Sequence, residues 1–454
     1  MHKYSNVLEM VGDTPLLELK RLDTGPCQLF LKLEYMNPGG SIKDRIGIVM
    51  IEEAEKRGDL KPGGTIVEAT AGNTGLGLAL VAAQKGYRLI LVIPDKMSQE
   101  KIFNLRAMGA EVVLTRSDVG KGHPEYYQDL AKRMAKEMGA YFINQFGNPD
   151  NPKAHETTTA PEIWEQMEHR LDAVVVGAGS SGTLTGIGHY FRKAAPQVEM
   201  ILADPQGSVL ADYVRTGKLG KKTATWLVEG IGEDFVPSIC DLSVVKRAYS
   251  IPDSEAFATA REVLRKEGVL LGSSSGTLIA AALRYCREQT RAKRVVTLGA
   301  DTGNKYLSKL YNDFWMIEQG FMVRPERRDL GDYVGRPYWE RATVYVGPAD
   351  TLATAHTRMR NNGISQLPVI DGKRFLGAVT ESGLIHAVRR DPQGFAQEVS
   401  TALDAKFPRI AAGAKLDDLF ARLDTVTALA VMDGDEFLGL VTRSDLLNRL
   451  RLRQ

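Results

Sequence analysis

Along the first 320 or so residues, short apolar runs alternate with stretches whose apolar positions recur at helical spacing. The runs predict strands at Leu29–Leu33, Thr65–Glu68, Arg88–Ile93, Glu111–Leu114, Asp172–Val176, Glu199–Ala203 and Arg294–Leu298. Between them the spacing predicts helices: one carrying Ile42, Ile46, Val49 and Met50 and stopped by Gly58, then Leu76–Lys85, Gln99–Met108, Pro124–Met138 and Leu278–Cys286. This alternation predicts an α/β domain with a mostly parallel sheet and helices on both faces. Ligands of such sheets collect at the carboxyl ends of the strands, where the glycine turns of this chain fall.

Beyond Trp315 the pattern changes. Arg324–Arg336 is charged, holds glycines and has few apolar positions, which reads as a linker. An internal repeat follows: DGKRFLGAVTESGLI (Asp371–Ile385) aligns with DGDEFLGLVTRSDLL (Asp433–Leu447). Each copy reads strand, turn, strand, helix, with a helical stretch upstream at Leu352–Asn361 or Leu416–Leu423. The expected division is a first domain over 1–320, a linker over 321–336, and two repeats over 337–392 and 393–454.

Composition narrows the function. A chain of 454 residues exceeds one ordinary core, in keeping with several domains. Its net charge of +2 gives no footing for nucleic acid or an anionic membrane surface. No apolar run approaches the roughly 18 residues of a membrane span, and the N-terminus lacks the apolar core of a signal peptide. Cys27, Cys240 and Cys286 form no CxxC pair, which argues against a disulfide framework or a cysteine metal site. A soluble, cytoplasmic protein is expected.

Chemistry gathers in four turns. In NPGGSIKDR (Asn37–Arg45), Ser41 and Asp44 have the spacing of a capping box, which places Lys43 in the first turn of a helix. The positive end of the helix dipole disfavours an ammonium there, hence favours the free amine, and a free amine can form a Schiff base. TAGNTG (Thr70–Gly75) is a strand-to-helix turn whose N–H groups can hold a carboxylate, with Asn73 able to donate to a phenolate oxygen. GAGSSGT (Gly177–Thr183) can wrap a phosphate; it lacks the lysine of a Walker loop and the acidic ribose partner of a dinucleotide fingerprint. GSSSGT (Gly272–Thr277) opens another helix. Taken singly, each has a plainer reading: a solvated helix lysine, tight turns, an N-cap serine. Together they suit pyridoxal phosphate.

These four motifs, in this order and at these separations, resemble the β-family of pyridoxal-phosphate enzymes, most closely the cystathionine β-synthases and their sister O-acetylserine sulfhydrylases. The likeness covers roughly residues 5–315, with Asn144–His155, Glu229–Pro237 and Asp301–Ser308 in support. The resemblance implies the tryptophan-synthase-β-like fold of type II enzymes, with two open, mostly parallel sheets. It makes Lys43 the Schiff-base lysine and proton-transfer base. Asn73 is to meet the ring hydroxyl oxygen, Gly179, Ser180, Ser181, Gly182 and Thr183 the phosphate, and Ser274 the pyridine nitrogen. Thr70, Ala71, Gly72, Thr74 and Gln145 are to hold the substrate carboxylate. The implied reaction is β-replacement, forming cystathionine from homocysteine and serine or O-acetylserine, with hydrogen sulfide when cysteine is the donor.

The chain departs from the serine-using animal enzymes at Ala71, for serine, at Phe146 and Glu233, each for tyrosine, and at Ser181, for glycine. These changes leave the donor open, and Gln145–Phe146 is the sulfhydrylase spelling. Cysteine synthase, with sulfide as the thiol, is therefore the alternative enzyme, and a ligand sensor with a scaffold-only catalytic half the alternative of another class. No haem-binding N-terminal segment is recognised, so no haem is expected. The C-terminal repeat resembles a tandem pair of CBS domains, an α+β module that implies an adenosyl ligand such as S-adenosylmethionine or an adenine nucleotide. Thr442 and Asp445 match its threonine and ribose-binding aspartate; the first copy has Thr380 but Gly383 in place of the aspartate. The same repeat can serve as a purely structural dimerisation module, and a homodimer or higher homo-oligomer is expected.

Overall fold

The computed structural model describes residues 3–70, 72–95, 97, 99–120, 122–220, 225–390 and 393–451. The chain divides into two compact units, Met1–Leu310 and Tyr311–Gln454.

The first unit holds two sheets. Four parallel strands lie in the order Glu111–Thr115, Arg88–Pro94, Thr65–Ala69, Tyr141–Phe142. Six strands lie in the order Leu16–Glu18, Gln28–Lys32, Arg294–Leu298, Ala173–Gly177, Glu199–Pro205, Val245–Ile251, and only the first pairing is antiparallel. Inner strands such as Ala173–Gly177 are apolar and buried nearly throughout, as a parallel sheet covered on both faces requires.

Two helices set the frame of the site. Lys43–Arg57 ends on Gly58 at φ +78°, and Asn73–Lys85 ends on Gly86 at φ +75°. They cross in backbone contact. A Cβ on Gly47 would lie 2.7 Å from the carbonyl carbon of Gly77, and one on Gly77 would lie 2.6 Å from the Lys43 carbonyl oxygen. No other residue type allows that approach. Ile46, Met50, Ile51, Leu78 and Val81 from the two helices join Ile66 and Leu91 in one core. The glycine crossing thus holds the starts of both helices, and with them Lys43 and Asn73, at the same edge of the sheet.

The helix start differs from the expected capping box. The Ser41 hydroxyl accepts from Lys43 N at 3.2 Å, but the Asp44 carboxylate turns back to accept from Gly39 N at 2.5 Å. The Gly39–Gly40 turn competes successfully for the acid, because its amide has no helical partner. The cysteines, distant in sequence, are partly adjacent in space: the buried Cys27 thiol donates to the Cys286 carbonyl at 3.7 Å, and all three are free thiols.

In the second unit, Gln366–Asp371 pairs with Arg374–Thr380 and Ala428–Asp433 with Glu436–Thr442, both antiparallel, in one five-stranded sheet. The helices Glu381–Arg390 and Arg443–Arg451 follow. The stretch read as a linker contributes to this unit's core: Leu330, Tyr333 and Val334 are buried with Ile410, Leu419 and Leu438. Among the described residues no helix is long and apolar enough to cross a membrane, and no cluster of His, Cys, Asp or Glu could hold a metal.

Candidate active site

A cavity of about 570 Å³ in the first unit is lined by Lys43, Thr70, Gly72, Asn73, Thr74, Gln145, Gly179, Ser180, Ser181, Thr183 and Ser274. Every described residue expected to hold the cofactor or substrate lies on it except Gly182, which begins the helix of the same loop; Ala71 lies outside the described residues. A larger cavity, about 1580 Å³, belongs to the second unit and touches none of these motifs.

Lys43 is the first residue of its helix. Burial pushes its ammonium down to about 8, with Glu233 and then Asp301 opposing the shift. The amine is therefore far more available near neutral pH than that of a solvated lysine.

The loop after Ala173–Gly177 is shaped by backbone. Ser181 takes φ +66°, and the 13-residue helix Gly182–Ala194 follows it. The first N–H groups of that helix have no intrahelical acceptor and face the loop. A Cβ on Gly179 would lie 2.6 Å from the Gly230 carbonyl oxygen, and one on Gly182 would lie 1.9 Å from Asn151 Oδ1. The cradle is thus closed to side chains at both glycines yet lined with hydroxyls and free amides, which fits a phosphate. His155 braces it: Nε2 lies 3.1 Å from Thr183 Oγ1 and Nδ1 2.9 Å from Thr159 Oγ1. Burial, then Lys43 and Arg45, push His155 well below its usual value, so the imidazole is neutral.

The three serines of GSSSGT divide their work. Gly272, not a serine, occupies the N-cap of Ser273–Arg287. Ser273 Oγ accepts from Glu229 N at 3.0 Å and Ser275 Oγ from Ala300 N at 2.9 Å. Ser274, between them, lines the cavity.

Asn73 is held from two sides. Its Nδ2 donates to Asp301 Oδ2 at 2.8 Å, and its Oδ1 accepts from Lys305 Nζ at 2.8 Å. The buried Tyr306 hydroxyl donates to the same Asp301 oxygen at 2.7 Å. Gln145 Oε1 accepts from Thr74 Oγ1 at 2.8 Å and its Nε2 donates to the Ala69 carbonyl at 3.1 Å. Its backbone is set by buried Glu68, which accepts from Asn144 N and Gln145 N at 2.8 and 3.3 Å. At the same cavity Glu229 bridges Lys101 and Lys309. His155, Glu229, Asp301 and Lys305 had no role from sequence beyond membership of the supporting stretches; their partners are distant in the chain.

In the second unit Asp445 Oδ2 accepts from Thr442 N at 2.8 Å and Thr442 Oγ1 at 2.6 Å. Burial raises its carboxyl above the usual range. Gly335 lies against it: a Cβ there would fall 2.2 Å from Asp445 Oδ1. In the first copy, Thr380 Oγ1 accepts from Gly383 N at 3.1 Å, with no carboxylate in that place.

Comparison with known proteins follows the same division. The family described as "Pyridoxal-phosphate dependent enzyme" matches residues 7–301, and the CBS domain matches 340–390 and 399–452. The cystathionine beta-synthase of Oryctolagus cuniculus is 36% identical over 474 residues, covering 98% of this chain and 84% of the relative. That of Dictyostelium discoideum is 35% identical over 466 residues, covering 99% and 93%. The crystal structure of a hydrogen sulfide-producing enzyme from Fusobacterium nucleatum superposes with a TM-score of 0.62 at 36% identity, covering 67% of this chain and all of that one.

Proposed function

The chain belongs to the cystathionine β-synthase family of pyridoxal-phosphate-dependent enzymes, and from that premise we propose that its cavity joins a serine-type donor to homocysteine to give cystathionine, releasing hydrogen sulfide when cysteine is the donor. The observation that carries this is the convergence of Lys43, Asn73, Ser274 and the 179–183 loop on one cavity. When bound, the cofactor supplies the electron-withdrawing ring that makes the substrate Cα proton removable. Lys43 holds the cofactor covalently, takes that proton on Nζ and later returns it. Gly179, Ser180, Ser181, Gly182 and Thr183 hold the phosphate, and Asn73 faces the ring oxygen. Thr70, Ala71, Gly72, Thr74 and Gln145 orient the substrate carboxylate.

Ser274 is assigned to the ring nitrogen. A hydroxyl pairs with a neutral nitrogen, whereas a carboxylate would keep it protonated and make the ring a deeper electron sink. The weaker sink suits a reaction in which negative charge leaves promptly with the β-substituent. Ser274→Asp is expected to shift the absorbance of the bound cofactor and strongly reduce β-replacement; an unchanged spectrum and rate would contradict the assignment.

Measuring product from serine, O-acetylserine and cysteine, each with homocysteine and with sulfide, tests the reading. Cystathionine as the favoured product supports it. Cysteine from O-acetylserine and sulfide alone would support the cysteine-synthase reading that Gln145–Phe146 favours.

For the CBS module we propose an adenosyl ligand whose ribose is held by Thr442 and Asp445, and for the protein a homo-oligomer. A hydrogen bond to a charged acceptor is worth roughly 1.5–3 kcal/mol, so Asp445→Ala is expected to weaken binding about tenfold or more. Calorimetry of the full chain with S-adenosylmethionine and with ATP reads this directly, and equal affinities in variant and parent would contradict the site.

A further inference from the structure

Glu233 stands where the serine-using animal enzymes that the chain resembles carry a tyrosine, and it lines the same cavity as Lys43 and Ser274. Its backbone is tightly fixed. Glu233 N donates to Ser208 Oγ at 3.0 Å, and its carbonyl accepts from Ser208 Oγ at 3.1 Å and from Val209 N at 3.0 Å. Just before it, Gly232, at φ +87°, donates to the Ala178 carbonyl at 2.8 Å, which ties this loop to the GAGSSGT loop. The carboxyl itself is treated differently. Among the described residues no hydrogen bond engages its carboxylate oxygens, and the half-buried residue lines the cavity. The charged groups around it are Asp234, Asp204 and Lys43, and Tyr126 and Tyr127 feel its charge. A carboxyl on a fixed backbone, with unclaimed oxygens in a reaction cavity, is suited to carry a proton to a substrate atom.

We propose that Glu233 is the general acid that protonates a departing β-hydroxyl, so that the donor the site is built for is serine rather than an O-acyl serine. This rests on the β-replacement reading above. Lys43 Nζ takes the Cα proton, and the electron pair of that C–H bond moves toward Cβ as the Cβ–O bond breaks. The pair of the broken bond stays on oxygen, which takes the Glu233 proton and leaves as water. The thiol gives its proton to solvent as its sulfur bonds to Cβ, Lys43 returns its proton to Cα, and solvent restores the Glu233 proton. Hydroxide is a poor leaving group and needs that proton; acetate does not. With a separate acid, Lys43 also keeps the Cα proton for its return.

Burial first, then Asp234 and Asp204, push the Glu233 carboxyl up to about 8, against the opposing effect of Lys43. It is thus mostly protonated at neutral pH and closer to the working range than a phenol near about 10.

The test compares two donors on the holoenzyme with homocysteine as the thiol: serine, and β-chloroalanine, whose chloride leaves unaided. Glu233→Gln, which keeps the shape, is expected to lower turnover of serine by about 10²-fold or more while β-chloroalanine turnover stays within several-fold. A parallel fall with both donors, or no fall with serine, overturns the proposal. The parent enzyme supplies a second measurement that needs no variant. Its ratio of serine to β-chloroalanine turnover is expected to fall as pH rises through about 8, because the acid is lost while Lys43 serves both donors alike; a ratio independent of pH overturns the proposal. If the parent makes no thioether from either donor, the β-replacement reading itself fails, and that result is distinct from both.

Discussion

In Lys43→Ala, turnover is expected to fall to background, a loss on the order of 10⁴ or more, together with the absorbance of lysine-bound cofactor. The size follows from the two tasks proposed for one nitrogen: covalent attachment of the cofactor and transfer of the Cα proton. The surroundings prepare that nitrogen for both. Lys43 opens a 15-residue helix, at the end of the dipole that disfavours a cation. Burial brings its ammonium down to about 8, against the pull of Glu233 and Asp301. Because the neutral amine is the reactive form, attachment of added cofactor to the unloaded protein is expected to speed up as pH rises through about 8. Rapid-mixing absorbance measurements across that range read it. Activity of the variant near the parent rate, or attachment independent of pH, would contradict the role given to Lys43.

The second large effect is on stability. Two residues after Lys43, Arg45 is buried among carboxylates. Its Nε and Nη2 donate to Glu34 at 2.7 and 2.8 Å, and its Nη1 and Nη2 donate to Glu162 at 2.6 and 2.7 Å. Lys32 Nζ joins Glu162 at 2.8 Å. The side chains of Glu34 and Arg45 are 0% and 2% exposed, so neither charge has water to fall back on. Glu34→Ala leaves the guanidinium with one of its two carboxylates and the Thr14 hydroxyl without its acceptor. Removing one partner of a buried ion pair costs about 3–5 kcal/mol, which lowers Tm by on the order of 10 °C for a unit of this size. Thermal unfolding with chemical denaturation as a check measures it; a shift of about 2 °C or less would mean that water replaces the carboxylate. The network also has a pH signature. Burial raises Glu162, but Arg45 and Lys32 outweigh it and hold the carboxyl at about 2. Its contribution is therefore complete above the ordinary glutamate range and is lost as pH falls toward about 2.

Much of the fold is legible in the sequence, because buried parallel strands are continuous apolar runs. Arg294–Leu298 has its predicted bounds, and Thr65–Ala69 and Arg88–Pro94 extend theirs by one residue. Three further strands carry weaker sequence signals. Val245–Ile251, reading VKRAYSI, is an edge strand carrying two cations, the kind of charge that guards an edge and breaks alternation. Leu16–Glu18 and Tyr141–Phe142 are too short for periodicity to register. The site divides in the same manner. Residues placed by a local turn, such as Lys43, Asn73 and Ser274, are readable from glycine and serine spacing. Asp301, which holds Asn73 from 228 positions away, is not. The capping box fails for a related reason: the Asp44 carboxylate accepts from Gly39 N, an amide outside the motif.

A cavity built around Lys43 to hold pyridoxal phosphate for β-replacement has a direct chemical signature. Borohydride reduction of the loaded full-length protein, followed by peptide mass mapping, reads that signature. One cofactor per chain is expected, fixed to the peptide containing Lys43 and absent from that peptide when serine and homocysteine are present in excess during reduction. Cofactor fixed to another lysine, or to none, would contradict it.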